Sequence, residues 1–301
     1  MNEVHVFVGA DEKYVMPMTI ALHSVLSHLD RETKAYIYIF NGGICENSQN
    51  RVKRVLENAR TEVSIKWLNF DSSKYEGINV GRYSTASLFR FEIVNYLPLI
   101  CDRALYLDSD VVVTGNITEL WKLNLEEKPF WAVESPKSVH FKQRIADKFP
   151  ECDFPSNALY LNSGVLLINV DQWRRLQITD DTYKFLHNHG HKLSFPDQDA
   201  LNAVAAGMWG QLDPRWNMQR HTGKNFKGAK GIMHYTTGKP WTRHFTGTGR
   251  WIFFSAYLRS GWDKFPISFV KVGMLAGEQI VRRNFMRIRR KLGQMGIWSV
   301  Q

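Results

Sequence analysis

Cysteine is scarce: Cys45, Cys101 and Cys152 are the three in a chain of 301 residues. An odd set without metal-type spacing excludes a disulfide framework and a zinc finger, and suggests reduced, mostly buried thiols in a cytosolic protein. No apolar run approaches the roughly 18 residues a spanning helix requires, so no transmembrane segment is expected. The opening stretch, Met1-Asn2-Glu3-Val4-His5-Val6-Phe7-Val8, has neither a basic flank nor a long apolar core, so no secretory leader is expected either. No G-x-G-x-x-G follows the first apolar stretch, and G-x-x-x-x-G-K-[ST] occurs nowhere. A dinucleotide fingerprint and a P-loop are therefore unsupported.

What is present points to a packed α/β protein. Hydrophobic residues make up 44% of the chain and nothing is of low complexity. That length accommodates one large domain, or a domain with an appendage. The formal charge is +10, but residues 267–301 hold seven basic side chains against the single acid Glu278. The first 266 residues thus carry only +4, too little for a general nucleic-acid binder.

Taken in order, residues 4–8 form an apolar strand, and a helical pattern runs from Pro17 through Ile20, Ala21, Val25 and Leu29. Residues 35–40 predict a second strand, 46–60 a helix and 63–68 a third strand. This alternation argues for a mainly parallel sheet covered by helices. A helix-like segment over 83–97 leads to Leu105-Tyr106-Leu107-Asp108-Ser109-Asp110-Val111-Val112-Val113. Further on come a buried strand over 162–169, a helix opened by Phe195-Pro196-Asp197-Gln198-Asp199, and a strand over 232–235 running into Gly238-Lys239-Pro240-Trp241.

Two aspartates one residue apart in an extended chain point to the same side. Such carboxylates repel unless a cation lies between them, and a hard divalent ion, Mg²⁺ or Mn²⁺, suits oxygen ligands and a phosphate. A strand ending in an Asp-rich turn accounts equally for the pair taken alone. Ligands of parallel sheets sit beyond the carboxyl ends of the strands, where Asp11 and the Asp108/Asp110 pair fall.

The motifs Asp108-Ser109-Asp110, Asn162-Ser163-Gly164-Val165, Asp197-Gln198-Asp199 and His234-Tyr235…Lys239-Pro240-Trp241, in that order, resemble glycosyltransferase family 8. The resemblance is greatest to bacterial lipopolysaccharide and lipooligosaccharide α-galactosyl- and α-glucosyltransferases, and runs from Val4 to about Trp262. It implies a GT-A (Rossmann-like) fold, a UDP-glucose or UDP-galactose donor, Mn²⁺ or Mg²⁺, a saccharide or lipid-linked acceptor, and retention of anomeric configuration. By the resemblance, Asp108, Asp110 and His234 hold the metal, and Gly238 and Lys239 meet the diphosphate. Ala10 and Asp11 belong to the donor site, Asp11 facing the uracil ring. Arg90 contacts the donor sugar, Asn162 and Asp197 hold its hydroxyls, and Gln198 lies nearest the anomeric carbon, so that Asp197 and Gln198 form the catalytic pair. The commoner family spacing is His-x-x-Gly-x-x-Lys-Pro-Trp, with one more residue before the lysine than here. Residues 137–148 are a candidate acceptor loop.

Each of these side chains also has a plainer use: Asp11 as a helix cap, Arg90 as a solvated helix residue, His234 as an ordinary strand-end histidine. Two other functions compete. A haloacid dehalogenase-type phosphatase shares the local Asp-x-Asp, although normally in its first strand, and a non-catalytic sugar-nucleotide module would need no turnover. Beyond a catalytic domain over 1–266, residues 267–301 form an expected tail. Val281, Phe285, Ile288 and Leu292 recur at helical spacing among the arginines. Such a helix suits an anionic membrane surface and would place the enzyme peripherally on the inner face of the cytoplasmic membrane.

Overall fold

The computed structural model describes residues 2–59, 61–69, 75–78, 85–136, 140–219, 230–242, 245 and 249–262. The basic helix expected over 267–301 lies outside them. Ten strands and eight α-helices are found among the described residues. Strands β1 (Asn2–Ala10), β2 (Thr33–Asn41), β3 (Val63–Asn69), β4 (Arg103–Leu107), β6 (Phe130–Glu134), β7 (Leu161–Asn169) and β8 (Gly210–Gln211) form one sheet in the order β3-β2-β1-β4-β7-β6-β8. Pairings among β3, β2, β1 and β4 are parallel, whereas β7 runs antiparallel to β4 and β6. A small second sheet, β5-β10-β9, joins β5 (Val111–Val113), β10 (Ile232–His234) and β9 (Met218–Gln219).

Alternation along β1 divides the core. Val4, Val6 and Val8 pack with α1 (Val15–Leu26) and α2 (Glu46–Glu57) on one face. Phe7 faces the other way, into a cluster holding Leu88, Phe91, Trp173 and Leu201. That cluster draws on α5 (Val170–Arg175), α6 (Ile178–His189) and α7 (Pro196–Val204). Nearly every residue of α1 is buried, as expected for a helix apolar on all sides; Ser24 of α1 accepts from the Val113 N–H of β5. The short helices α3 (Ile117–Trp121) and α4 (Phe141–Arg144) follow β5 and β6, and α8 (Arg250–Ser260) packs on α1.

Three expectations are corrected. Within the segment expected as a helix over 83–97, the described residues form two 3₁₀ turns, Thr85–Phe91 and Ile93–Asn95. Leu88, Phe89, Arg90 and Phe91 are all buried, so no amphipathic stripe imposes an α-helical path and tertiary contacts set it. Asp108 and Asp110 do not share a strand: the chain turns between β4 and β5, which belong to different sheets. The thiols are not mostly buried; Cys45 is exposed, and Cys101 and Cys152 are half-buried.

Candidate active site

Register brings the distant motifs together. β4 and β7 place Leu107 opposite Val165, and the Asp108 N–H donates to Gly164 O at 2.8 Å. On the other side, β10 pairs with β5 so that His234 sits opposite Val111, and Tyr235 N–H donates to Asp110 O at 3.1 Å. The turn between the two sheets is thereby aimed at the imidazole. His234 Nε2 lies 3.2 Å from Asp110 Oδ1 and 3.6 Å from Asp108 Oδ2. A Cβ at position 164 would collide with the His234 ring and stand 2.6 Å from Asp108 Oδ2, so glycine there permits the approach. Asp108, Asp110 and His234 offer ligand atoms within 4.8 Å of one another, two hard oxygens and a nitrogen, a donor set that fits Mn²⁺ or Mg²⁺.

Cationic side chains surround the pair. Arg90 is buried, and its guanidinium lies 3.1 Å from Asp108 Oδ1 and 3.0 Å from Asp197 Oδ2. It also donates to Ser163 O and Oγ, and lies 4.8 Å above the Tyr106 ring. The Tyr106 hydroxyl in turn donates to Asp108 Oδ1 at 2.8 Å. Lys239 Nζ pairs with Asp110 Oδ2 and donates to Tyr235 O at 2.8 Å, so the shortened spacing still brings this lysine to the aspartate pair, with Gly238 in the preceding turn. Burial would raise the Asp110 carboxyl, but His234 and then Lys239 outweigh it and hold it well below the usual carboxylate range. Asp197 moves the opposite way: burial pushes it up, Arg90 opposes the shift, and Asp108 adds to it.

On the wall contributed by α7, Gln198 is held by neutral hydrogen bonds that run on to a buried carboxylate. Asn202 clasps the Leu161 backbone with both amide atoms, at 2.7 and 3.1 Å, and fixes α7 against β7. Gln198 Oε1 then accepts from Asn162 Nδ2 at 3.1 Å and from the Ser163 N–H at 3.2 Å, while Nε2 donates to the Tyr160 hydroxyl at 3.0 Å. Tyr160 donates to the fully buried Asp199, whose other oxygen caps the N–H groups of Ser194 and Phe195 at 2.9 Å. Asn217 Nδ2 donates to Asn162 Oδ1 at 2.7 Å, and Asn217 Oδ1 faces His234 Nδ1 at 2.9 Å. A cavity of about 670 Å³ begins at Tyr160 and is lined by Glu134, His140, Phe141, Lys142 and Phe154, so part of the expected acceptor loop borders it.

Of the residues named from the sequence, Asp108, Asp110, His234, Arg90, Asp197 and Lys239 form one contiguous cluster, joined to Asn162 and Gln198 through Ser163 and Asn217. Ala10 and Asp11 lie at the end of β1, outside this cluster but beside it: the neighbouring Gly9 O accepts from Ser109 Oγ, between the two aspartates, at 2.7 Å. Ala10 O accepts from Gly42 N–H, and Asp11 caps the 3₁₀ turn Glu12–Tyr14, its carboxylate accepting from Tyr14 N–H at 3.1 Å. Tyr106, Tyr160, Ser163, Asp199 and Asn217 complete the site beyond the residues the sequence marks; Ser163 and Asp199 fall within the motifs, while Tyr106, Tyr160 and Asn217 carry no local signal beyond polar atoms in apolar stretches.

Carboxylates and an imidazole at the carboxyl end of a mainly parallel sheet, where a second sheet begins, define an α/β protein with its candidate site at the strand ends. The particular class follows from comparison: the chain belongs to glycosyl transferase family 8, whose model matches residues 5–244. The phosphatase alternative falls with this assignment, and β1 carries no Asp-x-Asp. General stress protein A of Bacillus subtilis is 28% identical over 267 residues, covering 80% of this chain and 89% of that protein. The lipopolysaccharide 1,2-glucosyltransferase of Escherichia coli K12 is 25% identical, covering 79% of this chain and 72% of the relative. The crystal structure of the galactosyltransferase LgtC with donor and acceptor sugar analogues superposes with a TM-score of 0.72 at 24% identity, covering 89% of this chain and all of that one. The architecture is thus the GT-A fold.

Proposed function

We propose that the protein is a retaining hexosyltransferase that moves galactose or glucose from a UDP-sugar to a saccharide acceptor in the synthesis of lipopolysaccharide or another surface glycan. The observation that carries this is the convergence of Asp108, Asp110 and His234 beside Arg90, Asp197 and Gln198 in a chain of this family. The names of the glucosyltransferase and galactosyltransferase relatives support the hexose. Asp108, Asp110 and His234 would hold Mn²⁺ or Mg²⁺, which would supply neutralisation of the charge that builds on the departing diphosphate. Lys239 adds a second positive charge, Ala10 and Asp11 flank the uracil, and Asn162, Asp197 and Arg90 hold the sugar.

Both acceptor positions of the Gln198 carbonyl already carry donors, from Asn162 and Ser163. An amide oxygen is a poor nucleophile, which argues against a glycosyl-enzyme. Substitution on one face follows: the anomeric carbon–oxygen bond to UDP breaks, the acceptor oxygen bonds on the same side, and its proton passes to the departing phosphate oxygen. The Gln198 dipole steadies the oxocarbenium-like centre meanwhile. The acceptor occupies the cavity beside Tyr160.

The basic tail over 267–301, appended to the catalytic domain 1–266, holds the protein to an anionic membrane on the cytoplasmic side. The charge supports this: each basic residue near such a surface contributes about 1 kcal/mol. No described helix is long and apolar enough to cross a membrane. Intact protein should sediment with anionic vesicles at low salt and release as salt rises, and a chain ending at Pro266 should not sediment. Indifference of the intact chain to such vesicles would remove the membrane role. The catalytic assignment is tested by a thermal-shift panel of UDP-, GDP-, ADP- and dTDP-sugars with and without Mn²⁺, followed by release of UDP. UDP-sugars alone should stabilise, and Mn²⁺ should be needed for turnover; binding without turnover would make the protein a module rather than an enzyme.

A further inference from the structure

Asn217 lies at the end of the 3₁₀ turn Pro214–Asn217, immediately before β9, and is 1% exposed. β9 runs beside β10, which carries His234. Its amide bridges two parts of the site: Nδ2 reaches Asn162 Oδ1, and Oδ1 reaches His234 Nδ1. Backbone groups fix which end of each amide points where. The Gly164 N–H at 3.1 Å requires an acceptor, which identifies the Asn162 oxygen, and the Ser163 N–H identifies the Gln198 oxygen in the same way. Asn162 therefore presents its NH₂ to Gln198 and its oxygen to Asn217. Asn217 must then donate to Asn162, which leaves its own oxygen for His234. Nδ1 of His234 has to be a proton donor, and the ring nitrogen aimed at Asp108 and Asp110 is Nε2.

We infer that Asn217 is a positioning residue that keeps the proton of His234 on Nδ1, so that Nε2 stays available to a divalent cation. A histidine ligand is routinely oriented by the partner of its second nitrogen. Here the partner also ties the ligand to the sugar-side wall, because the same amide holds Asn162 and, through it, Gln198. The inference rests on the reading of Asp108, Asp110 and His234 as the metal site.

The test is Mn²⁺ titration of the full chain, followed by loss of the free-ion electron paramagnetic resonance signal, alongside melting curves. Asn217→Leu removes both hydrogen bonds, whereas Asn217→Asp keeps an acceptor for Nδ1–H and loses the donor to Asn162. Mn²⁺ affinity should fall about 10- to 100-fold in Asn217→Leu, with Asn217→Asp staying within about threefold of the wild type. If Asn217→Leu does not fold, Asn217→Ala, which also removes both hydrogen bonds, carries the same comparison. A purely structural role would weaken both variants in step with their melting temperatures, which would overturn the inference, as would a leucine variant that binds Mn²⁺ like the wild type. Absence of Mn²⁺ binding in the wild type itself would bring down the metal reading, and the inference with it. Nitrogen spectra of labelled histidine in the Mg²⁺-loaded protein should show a protonated Nδ1 on His234; a bare Nδ1 would overturn the assignment directly.

Discussion

On the β10 side of the site, Asp108 and Asp110 are surrounded by Arg90, His234 and Lys239; on the α7 side, Gln198 is surrounded by Asn162, Tyr160 and a backbone N–H. The first half is held by charge. Removing Arg90 or Lys239 leaves a carboxylate with less counter-charge, so the stability of this half depends on both cations. Around Gln198 the second half is held by matched neutral donors and acceptors, anchored through Tyr160 on the buried Asp199 carboxylate. The halves meet at Arg90, which touches Asp108 and Asp197, and at Asn217, which touches His234 and Asn162.

Asp110→Asn attacks the charged half at its centre and has the largest expected effect. Metal-dependent turnover should fall about a thousandfold, since charge on the leaving group loses its counterion. Full activity at low Mn²⁺ would remove Asp110 from the site. Arg90→Leu comes next. It strands the Asp108 and Asp197 carboxylates, and urea unfolding should show a loss of about 3–5 kcal/mol. A loss under about 1 kcal/mol would mean that the pair is solvated rather than buried.

Gln198→Ala probes the neutral half. Its turnover should drop about a hundredfold while the Michaelis constant for the donor changes little, because the amide acts on the charged transition state. An effect confined to the Michaelis constant would assign Gln198 to binding instead. The smallest effect is expected from Asp197→Asn. The folded-state pKa of Asp197 is raised, so the native protein holds this proton more tightly than the unfolded chain. Wild-type stability should therefore decline as pH rises from about 4 through the raised value, and this decline should be missing in Asp197→Asn. Melting curves in EDTA across that range decide the matter; a variant that follows the wild-type slope would show that another group titrates.

How much of this was legible in the sequence differs between the halves in the same way. Asp108, Asp110 and His234 are chemically conspicuous residues at strand ends, and their motif order sufficed to group them. The β-α-β-α-β start was readable because each strand is a short apolar run bounded by turns. The antiparallel return of β7 between β4 and β6 was not, since register between distant strands leaves no local pattern. Nor was the division of residues 105–113 between two sheets, because the run is apolar on both sides of the aspartates. Leu88 to Phe91 looked helical but is buried all round, so packing overrode periodicity. Asn217 acts through Asn162 and His234, 55 and 17 residues away, and Tyr160 through Asp199 and Gln198, 39 and 38 residues away, and nothing in their neighbours announces this.

The most direct test of the division between the halves is the response of melting temperature to Mn²⁺ in Asp110→Asn and Asp197→Asn, measured beside the wild type at neutral pH. Ligand at about 100 times its dissociation constant contributes about 2.7 kcal/mol of stability, enough to read clearly. Asp197→Asn should keep the full wild-type rise, and Asp110→Asn should lose it. A rise that survives in Asp110→Asn, or vanishes in Asp197→Asn, would contradict the assignment of the cation to the Asp108–Asp110–His234 half.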